Sequence, residues 1–370
     1  MATPGPIKRV EQAVTGLIKL PLGIVKYAAA EPLFTGSLLF ALTRAPEKYR
    51  LKLLSLLQER GLSAARIATL VKSLKYLLAI GVARRANQAL NNLALNHWHL
   101  RKPGAPFQFG ARKEEIVLIT GGCSGFGYEM VKSFSKFARV VIFDVLPVPA
   151  ELEKLPGVHY YKVDLTDFPA IEAAAEQVRR EHGDPSVLIN NAGIATKGTI
   201  LEAEAKSTEA IFKVNIASHF ILIKEFLPGM LRANKGHIVT IASMASFVAA
   251  SGLVDYCCTK VAALYLNDGL RAELRYRYPN GTSIQTTSVH PSWHKTGIVS
   301  GLEEKLEAHG LRLDPASNVS DAIVDQVLAA RSGQIFMPRS EVSKSRVRTW
   351  PLWLQDAATY SQRAMSRFEF

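Results

Sequence analysis

EIVLITGGCSGFG, residues 115–127, contains a strand signal followed directly by a glycine cluster and a helix signal. The apolar run Ile116 to Ile119 is short and rich in β-branched residues, which is typical of a strand buried on both faces of a parallel sheet. The glycines that follow let the backbone turn tightly and approach a phosphate group. A helix that begins near Phe126 would point its positive N-terminal end at that anion. The sequence therefore predicts a nucleotide-binding strand, turn and helix.

A second strand is predicted over Arg139 to Phe143, and Asp144 follows it directly. In a dinucleotide-binding fold, the residue at this point meets the adenosine ribose. A carboxylate accepts hydrogen bonds from two ribose hydroxyls but repels a 2′-phosphate. Asp144 therefore favours NAD over NADP, although an ordinary aspartate in a strand-end turn remains an alternative.

A third signal is the pair Tyr256 and Lys260, with Ser243 thirteen residues before Tyr256. A spacing of four places both side chains on one helix face, where an ammonium group favours the ionised form of a phenol. A free tyrosine titrates near pH 10, so proton transfer at neutral pH requires such help. The spacing predicts a proton-transfer pair.

The region from about Glu115 to Pro338 resembles the short-chain dehydrogenase/reductase family. The motifs that carry the resemblance occur in the family's order: Thr120-Gly121-x-x-x-Gly125-x-Gly127, Asp144, Asp164 within Val163-Asp164-Leu165, Asn190-Asn191-Ala192-Gly193, Asn215, Ser243, Tyr256 with Lys260, and Pro291 followed by Thr296. The resemblance implies an α/β fold, a Rossmann-like doubly wound parallel sheet, to which the chain adds an α-helical N-terminal extension.

The resemblance also implies an NAD cofactor, with NADP the weaker candidate, and no metal. The residues implied to bind the cofactor are Thr120, Gly121, Ser124, Gly125, Phe126, Gly127, Asp144, Asp164, Leu165, Asn191, Ala192, Gly193, Tyr256, Lys260, Pro291 and Thr296. Of these, Asp164 and Leu165 border the adenine, and Asn191 to Gly193 shape the floor of the cleft.

The implied catalytic residues are Ser243, Tyr256, Lys260 and Asn215. Tyr256 acts as general acid/base, and Ser243 orients and polarises the substrate oxygen. Lys260 bonds the nicotinamide ribose and lowers the phenol pKa, while Asn215 holds a water molecule that relays protons to Lys260. These roles agree with the chemistry, because hydride removal from an alcohol carbon requires proton removal from its oxygen.

Each of these positions also has a purely structural interpretation. Ser243 could cap the next turn, and Ser246 lies close enough in sequence to replace it, although the spacing to Tyr256 favours Ser243. Asn215 could be an ordinary helix amide, and Asp164 a turn aspartate. Asn190 and Asn191 could form a simple turn after a strand over residues 187–189.

Two positions depart from the family pattern. Pro291 is followed by Ser292 rather than glycine, and serine would be strained if the backbone there had a positive φ. We therefore expect an altered loop near Thr296. Cys123 occupies a place in the glycine turn where serine is frequent, and an exposed thiol there would be open to oxidation.

The basic character of the chain is concentrated at its beginning. The net charge is +13, and residues 1–113 hold eighteen Lys and Arg against four Asp and Glu, a net of +14. This asymmetry predicts an anionic partner. The segment lacks zinc-ligand spacing or a nucleic-acid recognition motif and is rich in leucine and alanine, so a membrane or lipid surface is favoured over nucleic acid.

Two apolar stretches support a membrane partner. Residues 32–43 carry no charge and follow the apolar run 20–25, but Lys26 and Glu31 interrupt a spanning length. We expect this stretch to lie in the interface, with spanning left open. Residues 65–100 have apolar side chains at helical spacing with interleaved bases, which predicts a surface-seeking amphipathic helix. Packing on the catalytic domain or on a second subunit is the alternative.

The predicted organisation has three parts: residues 1–107 as a basic helical region at a membrane, residues 108–340 as the catalytic domain, and residues 341–370 as a C-terminal extension. In the extension, bases precede Trp350 and Trp353, which suits either a membrane interface or a lid over the substrate cleft. A helix over residues 254–277 pairs subunits in the family, which implies a homodimer.

Three cysteines, all in the cofactor domain, and no evident secretory signal favour a reducing compartment. The predicted location is the cytosolic face of a membrane, with the endoplasmic reticulum or a lipid droplet as candidates. The N-terminal extension is similar to that of the family's retinol and 17β-hydroxysteroid dehydrogenase branch. The predicted function is NAD(P)-dependent interconversion of a lipophilic alcohol and its carbonyl; the alternative is a catalytically silent, membrane-recruited scaffold that binds a cofactor.

Overall fold

The structure, a computed structural model, describes residues 31–196, 198–301, 303–308 and 312–360, with side chains described up to residue 357. The apolar run 20–25 lies outside the described residues. The chain divides after Asn92 into two compact units. Residues 93–107, which composition groups with the N-terminal region, belong to the second unit, and so does the C-terminal extension.

The first unit consists of three helices in its described part: α1 Pro32–Thr43, α2 Glu47–Glu59 and α3 Ala64–Leu95, which ends just past the boundary between the units. Leu42, Leu53 and Leu74 form its small core, one from each helix. Glu31 forms ion pairs with Arg84 (3.2 Å) and Arg85 (2.5 Å), so the acidic charge before α1 is neutralised within the unit.

The apolar stripe of α3 packs inside its own unit. Leu70, Val71 and Leu74 contact the leucines of α1 and α2, and Ile67 is buried. The short α1 and α2 thus supply an apolar surface nearby in the chain, a partner that the sequence analysis did not name beside a membrane, the catalytic domain or a second subunit. The helix also ends at Leu95 rather than Leu100. His97 and Trp98 have positive φ angles of 53° and 67°, which are incompatible with a continuing α-helix.

The second unit is built on a parallel sheet, as the sequence predicts. Its strands are β1 Ile116–Thr120, β2 Arg139–Asp144, β3 Val158–Lys162, β4 Val187–Asn190, β5 Gly236–Ile241, β6 Ile284–Pro291 and β7 Gly333–Met337. Their order in the sheet is β3-β2-β1-β4-β5-β6-β7, and every neighbouring pair is parallel. The order reverses between β1 and β4, and ligands of open α/β sheets bind at such a point.

Helices cover both faces of this sheet. The remaining helices in the described residues are α4 Gly125–Phe134, α5 Ala150–Glu153, α6 Phe168–His182, α7 Ala205–Phe212, α8 Ser218–Arg232, α9 Val254–Tyr276, α10 Glu303–Ala308, α11 Ala316–Leu328 and α12 Leu352–Tyr360. Side chains of α6, α8 and α9 pack on one face, and side chains of α4 and α11 pack on the other. The fold is therefore doubly wound. Each residue of β1 is buried, which explains its unbroken apolar sequence.

Within the described part of the chain, no helix combines the length and the apolar character that crossing a bilayer requires.

Candidate active site

The glycine turn brings β1 and α4 into close contact. Gly121 and Gly125 have φ angles of +65° and +52°, which side chains rarely permit. A Cβ atom on Gly127 would stand 2.0 Å from the carbonyl oxygen of Gly121. Because glycine alone satisfies these positions, the backbone of the turn stays open at the start of α4.

Ser124 lies at the N-cap of α4, and its exposed side chain makes no capping hydrogen bond. The first N–H groups of a helix have no partner within the helix and carry a partial positive charge. An exposed hydroxyl beside them adds another donor. The N-terminal end of α4 therefore has the donors needed to bind an anion such as a phosphate.

Thr120, Asn191 and Ala192 fasten the turn to the end of β4. The fully buried Thr120 hydroxyl accepts hydrogen bonds from the Asn191 and Ala192 amides, both at 3.0 Å. The Asn191 side chain donates to the carbonyls of Thr120 (2.8 Å) and Gly121 (3.0 Å). These side chains hold the cradle in shape, and Asn191 and Gly193 line the cavity beside it.

Asp144 ends β2 and also supports the turn. One carboxylate oxygen accepts from the Cys123 amide at 2.8 Å, and the other accepts from the Leu146 amide at 3.0 Å. The Cys123 thiol is buried, and burial together with the neighbouring Asp144 carboxylate raises its pKa to about 12. The condition for oxidation, an exposed thiol, is therefore not met, because the Cys123 side chain packs in the core.

Asp164 and Leu165 have different environments. One carboxylate oxygen of Asp164 accepts from the Thr166 amide and hydroxyl, both at 2.8 Å, so this exposed residue does stabilise a turn. The Leu165 side chain packs in the core. A contact of Leu165 with an adenine would therefore use its main chain.

Tyr256, Lys260 and Ser243 meet at one wall of a cavity. The first two lie on the opening turns of α9, with the Lys260 amine 5.5 Å from the centre of the Tyr256 ring. The amine donates to the Ile241 carbonyl at 2.9 Å. The Ser243 hydroxyl accepts from the Ala245 amide at 3.1 Å and donates to the Pro291 carbonyl at 3.4 Å, so it does cap the next turn while it also lines the cavity. Ser246, by contrast, is buried and donates to the Lys260 carbonyl.

Burial controls the titration of this pair. It raises the pKa of Tyr256 to about 12, against a smaller lowering by the Ser243 hydrogen bond. It also lowers the pKa of Lys260 to about 8. The sequence-based expectation that Lys260 lowers the phenol pKa is not what the protein alone shows, because desolvation favours the neutral form of both groups.

Asn215 lies in a π-helical turn, Lys213–Ala217, where helices frequently carry functional residues. Its amide oxygen accepts from the Ile194 N–H at 2.9 Å, and its amide nitrogen donates to the Ile194 carbonyl and to the Thr259 hydroxyl. The side chain thus ties the segment after β4 to α9. Gly193 adjoins both groups, since a Cβ on it would stand at ordinary contact distances from the Lys260 amine (3.4 Å) and the Asn215 oxygen (3.6 Å).

The loop after β6 closes the cavity on the opposite side. Ser292 is not among the residues with a positive φ, and its amide donates to the Met337 carbonyl at 2.7 Å. The predicted strain is therefore absent, because β7 holds the loop without a left-handed residue. Thr296 lies across from the glycine turn, 3.5 Å from where a Cβ on Gly125 would stand.

The cavity has a volume of about 800 Å³ and extends from Phe126 of the glycine-turn helix to Ser243, Tyr256 and Lys260. Sequence reasoning missed much of its lining: Met244, Val248, Leu253, Trp293, His294, Ile298, Arg312, Asp314, Pro338, Ser340, Glu341 and Lys344. These residues lie in loops and short 3₁₀ segments and follow no motif, and only the C-terminal ones were anticipated, by the interpretation of the extension as a lid over the substrate cleft.

The residues present fit a nicotinamide dinucleotide. The glycine turn leaves room that any Cβ would fill, and the uncapped start of α4 suits the pyrophosphate. Asp144 stands at the end of β2, where the adenosine ribose would lie. The cavity extends from Phe126 to Tyr256 and Lys260.

Comparison with known families agrees with this geometry. A family model described as short chain dehydrogenase matches residues 115–307, just over half of the chain. The chain belongs to the short-chain dehydrogenase family. The matched residues include the glycine turn, Asp144, Ser243, Tyr256 and Lys260.

Other members of the short-chain dehydrogenase family resemble this chain in sequence and fold. Dehydrogenase RED2 of Cochliobolus heterostrophus is 38% identical over 177 residues, which cover 48% of this chain and 66%, just under two thirds, of that protein. Epidermal retinol dehydrogenase 2 of Mus musculus is 36% identical over 233 residues, covering 61% of this chain and 74% of that protein. A short chain dehydrogenase/reductase from Burkholderia phymatum, solved in complex with NAD, shares the fold with a TM-score of 0.57 at 23% identity, covering 68% of this chain and 97% of that one.

Proposed function

We propose that this protein is an NAD-dependent oxidoreductase that interconverts a lipophilic alcohol and its carbonyl compound. The observation that carries the proposal is the convergence of Ser243, Tyr256 and Lys260 on a cavity that begins at the glycine turn. A bound nicotinamide ring supplies the hydride acceptor or donor. The protein's own groups then handle the substrate oxygen and its proton.

Tyr256 exchanges a proton with the substrate oxygen, and Ser243 holds that oxygen by a hydrogen bond. Because burial raises the phenol pKa to about 12, Tyr256 is protonated at neutral pH and is ready to donate to a carbonyl oxygen. Alcohol oxidation requires the opposite transfer, and positive charge brought beside the phenol would favour it. Lys260 supplies part of that charge below about pH 8.

The proposed role of Asn215 is to position the site. Its hydrogen bonds to Ile194 and Thr259 fix the segment that adjoins Lys260. A water molecule that relays protons to Lys260 remains part of the proposal. Such a molecule would have to use the second lone pair of the Asn215 oxygen or the backbone of the π turn.

Asp144 supports NAD rather than NADP, because a carboxylate repels a ribose 2′-phosphate. Asp144→Asn removes the charge but keeps an oxygen that can accept from the Cys123 amide. We expect this variant to bind NADPH on the order of tenfold more tightly relative to NADH. Titration of NADH and NADPH fluorescence measures the ratio, and an unchanged ratio would contradict the assignment.

A lipophilic substrate is supported by the apolar part of the cavity lining, which includes Met244, Val248, Leu253, Ile298 and Pro338. The names of similar proteins point the same way, since they include a retinol dehydrogenase and estradiol 17-beta-dehydrogenase 11 of Homo sapiens, 34% identical over 233 residues. Retinoids, sterols and long-chain alcohols are therefore the substrate classes to test.

We also propose that the first unit associates with a membrane, at its cytosolic face. In α1, which carries no charged residue, the large apolar side chains of Leu33 and Phe40 are exposed. A homodimer is proposed through α9, whose Val254, Tyr265 and Tyr276 are exposed.

The central test is the Tyr256→Phe variant, which removes only the phenolic oxygen. We expect at least a hundredfold loss of NADH formation from a lipophilic alcohol, with NADH affinity within a few-fold of wild type. The control is Tyr265→Phe, which removes the same oxygen from an exposed tyrosine of α9 that does not line the cavity. If neither the wild type nor the control turns over any lipophilic alcohol while both bind NADH, the scaffold alternative is correct.

A further inference from the structure

The 3₁₀ segment Arg339–Thr349, which follows β7, forms one wall of the active-site cavity. Pro338, Ser340, Glu341 and Lys344 all line that cavity together with Tyr256. The segment is anchored, since Val347 is buried and the segment contacts both β7 and the turn Met244–Ser246. The C-terminal extension is therefore part of the site.

Glu341 and Lys344 of this wall line the cavity together with two further charged residues, Arg312 and Asp314. Lys344 is 53% exposed and pairs with Glu341 at 2.6 Å. The side chain of Arg312, which also lines the cavity, is 89% exposed. Because such exposed side chains lie where the cavity meets solvent, the mouth opens beside the wall.

The surface that continues from this wall is positively charged. Arg339, Arg346 and Arg348 are exposed like Lys344, whereas Glu341 is the one acid between residues 339 and 353. A concentration of four bases around one acid attracts an anionic surface.

Large apolar side chains follow the bases directly. Leu352 is 79% exposed and Trp353 is 70% exposed, and Trp350 is also exposed. Adjacent exposed apolar side chains mark an interaction site. Tryptophan next to arginine and lysine is the composition of segments at the boundary between membrane and water.

We propose that residues 339–353, the docking ridge, rest on an anionic lipid surface, so that the cavity mouth opens toward the lipid. A second copy of the chain is disfavoured as the occupant because it would present the same positive charges. The proposal rests on the proposed function, because this orientation serves the enzyme only if its substrate is a lipophilic alcohol that enters the cavity from the lipid phase. Attachment through the docking ridge is separate from any attachment of the first unit.

Local contact with lipid is the diagnostic measurement, because vesicle binding alone could come from the first unit. The full chain is mixed with phosphatidylcholine vesicles that contain phosphatidylserine and brominated acyl chains, which quench nearby tryptophans. The chain has four tryptophans, and two of them lie on the docking ridge. We expect quenching in the wild type and loss of most of it in the double variant Trp350→Phe/Trp353→Phe.

Two further variants test the contributions of the apolar and basic side chains. Leu352→Ser should raise the lipid concentration needed for half-maximal quenching on the order of tenfold, because it removes an exposed apolar side chain that would enter the lipid. The double variant Arg346→Gln/Arg348→Gln should raise that lipid concentration about fivefold for each base removed. We expect this effect only with vesicles that contain anionic lipid. The matched control is Leu201→Ser, which removes a leucine that is 98% exposed elsewhere in the second unit.

Vesicle-bound protein whose ridge tryptophans remain unquenched would overturn the proposal. So would a blue shift of their emission that depends on protein concentration without vesicles, since a second copy would then be the occupant. Failure here is distinguishable from failure of the proposed function. Turnover of an alcohol in detergent micelles should survive in the ridge variants and disappear in Tyr256→Phe.

Discussion

Lys260 is buried at a cost to stability, in a position where the proposed chemistry requires its positive charge. Its side chain is 2% exposed, and burial lowers the pKa of its amine from 10.5 to about 8. The folded protein therefore holds a charge at neutral pH that the surrounding protein disfavours. Its amine has one hydrogen bond in compensation, to the Ile241 carbonyl. A lysine in such a place is expected at a functional site.

We expect the variant Lys260→Met to be inactive but more stable than wild type by about 1–3 kcal/mol at pH 7. The folded pKa lies below the unfolded one, so the unfolded chain holds more protons between pH 8 and 10.5. Stability of the wild type should therefore rise through that window, and the advantage of the variant should shrink. Urea unfolding at pH 7 and pH 10 measures both effects. A variant that is less stable at pH 7 would show that the hydrogen bond outweighs desolvation.

At the scale of elements, the shape of the glycine turn depends on the close contact that the first turn of α4 makes with it. Gly127 is the position where this contact is tightest, since a Cβ there would meet the Gly121 carbonyl at 2.0 Å and the Asn191 amide at 2.8 Å. Both neighbours are fixed by their own hydrogen bonds to the end of β4 or β2. Neither the Gly121 carbonyl nor the Asn191 amide can move without breaking these hydrogen bonds and widening the turn.

Gly127→Ala should therefore cost about 1–3 kcal/mol of stability and weaken NADH binding at least tenfold. The matched control is Gly269→Ala in α9, where a Cβ would meet nothing within 4 Å. That change should stabilise the helix by about 0.5–1 kcal/mol and leave NADH binding unaltered. Thermal unfolding and NADH fluorescence titration separate the two variants. Equal behaviour of both would show that the turn tolerates side chains.

At the scale of the whole molecule, buried histidines make the fold sensitive to acid. Burial lowers the pKa of His219 and of His237 to about 3, and that of His290 to about 4, from an ordinary value of 6.5. Each imidazole is therefore neutral in the folded protein and becomes protonated when the chain unfolds in mild acid.

The contribution of these histidines to stability should be complete above about pH 6.5 and fall steadily as the pH decreases towards 4, by about 2 kcal/mol per buried histidine at pH 5. Urea unfolding at pH 7.5 and pH 5 measures the loss. His237→Gln should reduce the pH dependence by one proton, because one such group is removed. Stability that is independent of pH across this range would contradict the assignment of neutral buried imidazoles.

The sequence alone determined the parallel fold and indicated where the candidate site lies, because both depend on local patterns. The unbroken apolar run of β1, the glycines after it and the spacing of Tyr256 and Lys260 are constraints among neighbours in the chain. Strand identity and the helix face shared by the two residues follow from such constraints.

Tertiary structure decided what depends on packing between distant segments. The apolar stripe of α3 could have met a membrane or another domain, and the helices before it decided that it packs within its own unit. The high pKa of Tyr256 and the core position of Cys123 arise from burial by remote residues. The cavity wall at Glu341 and Lys344 exists because β7 delivers the C-terminal segment to the site. Desolvation and long-range contacts are properties of the folded chain, and no pattern of adjacent residues encodes them.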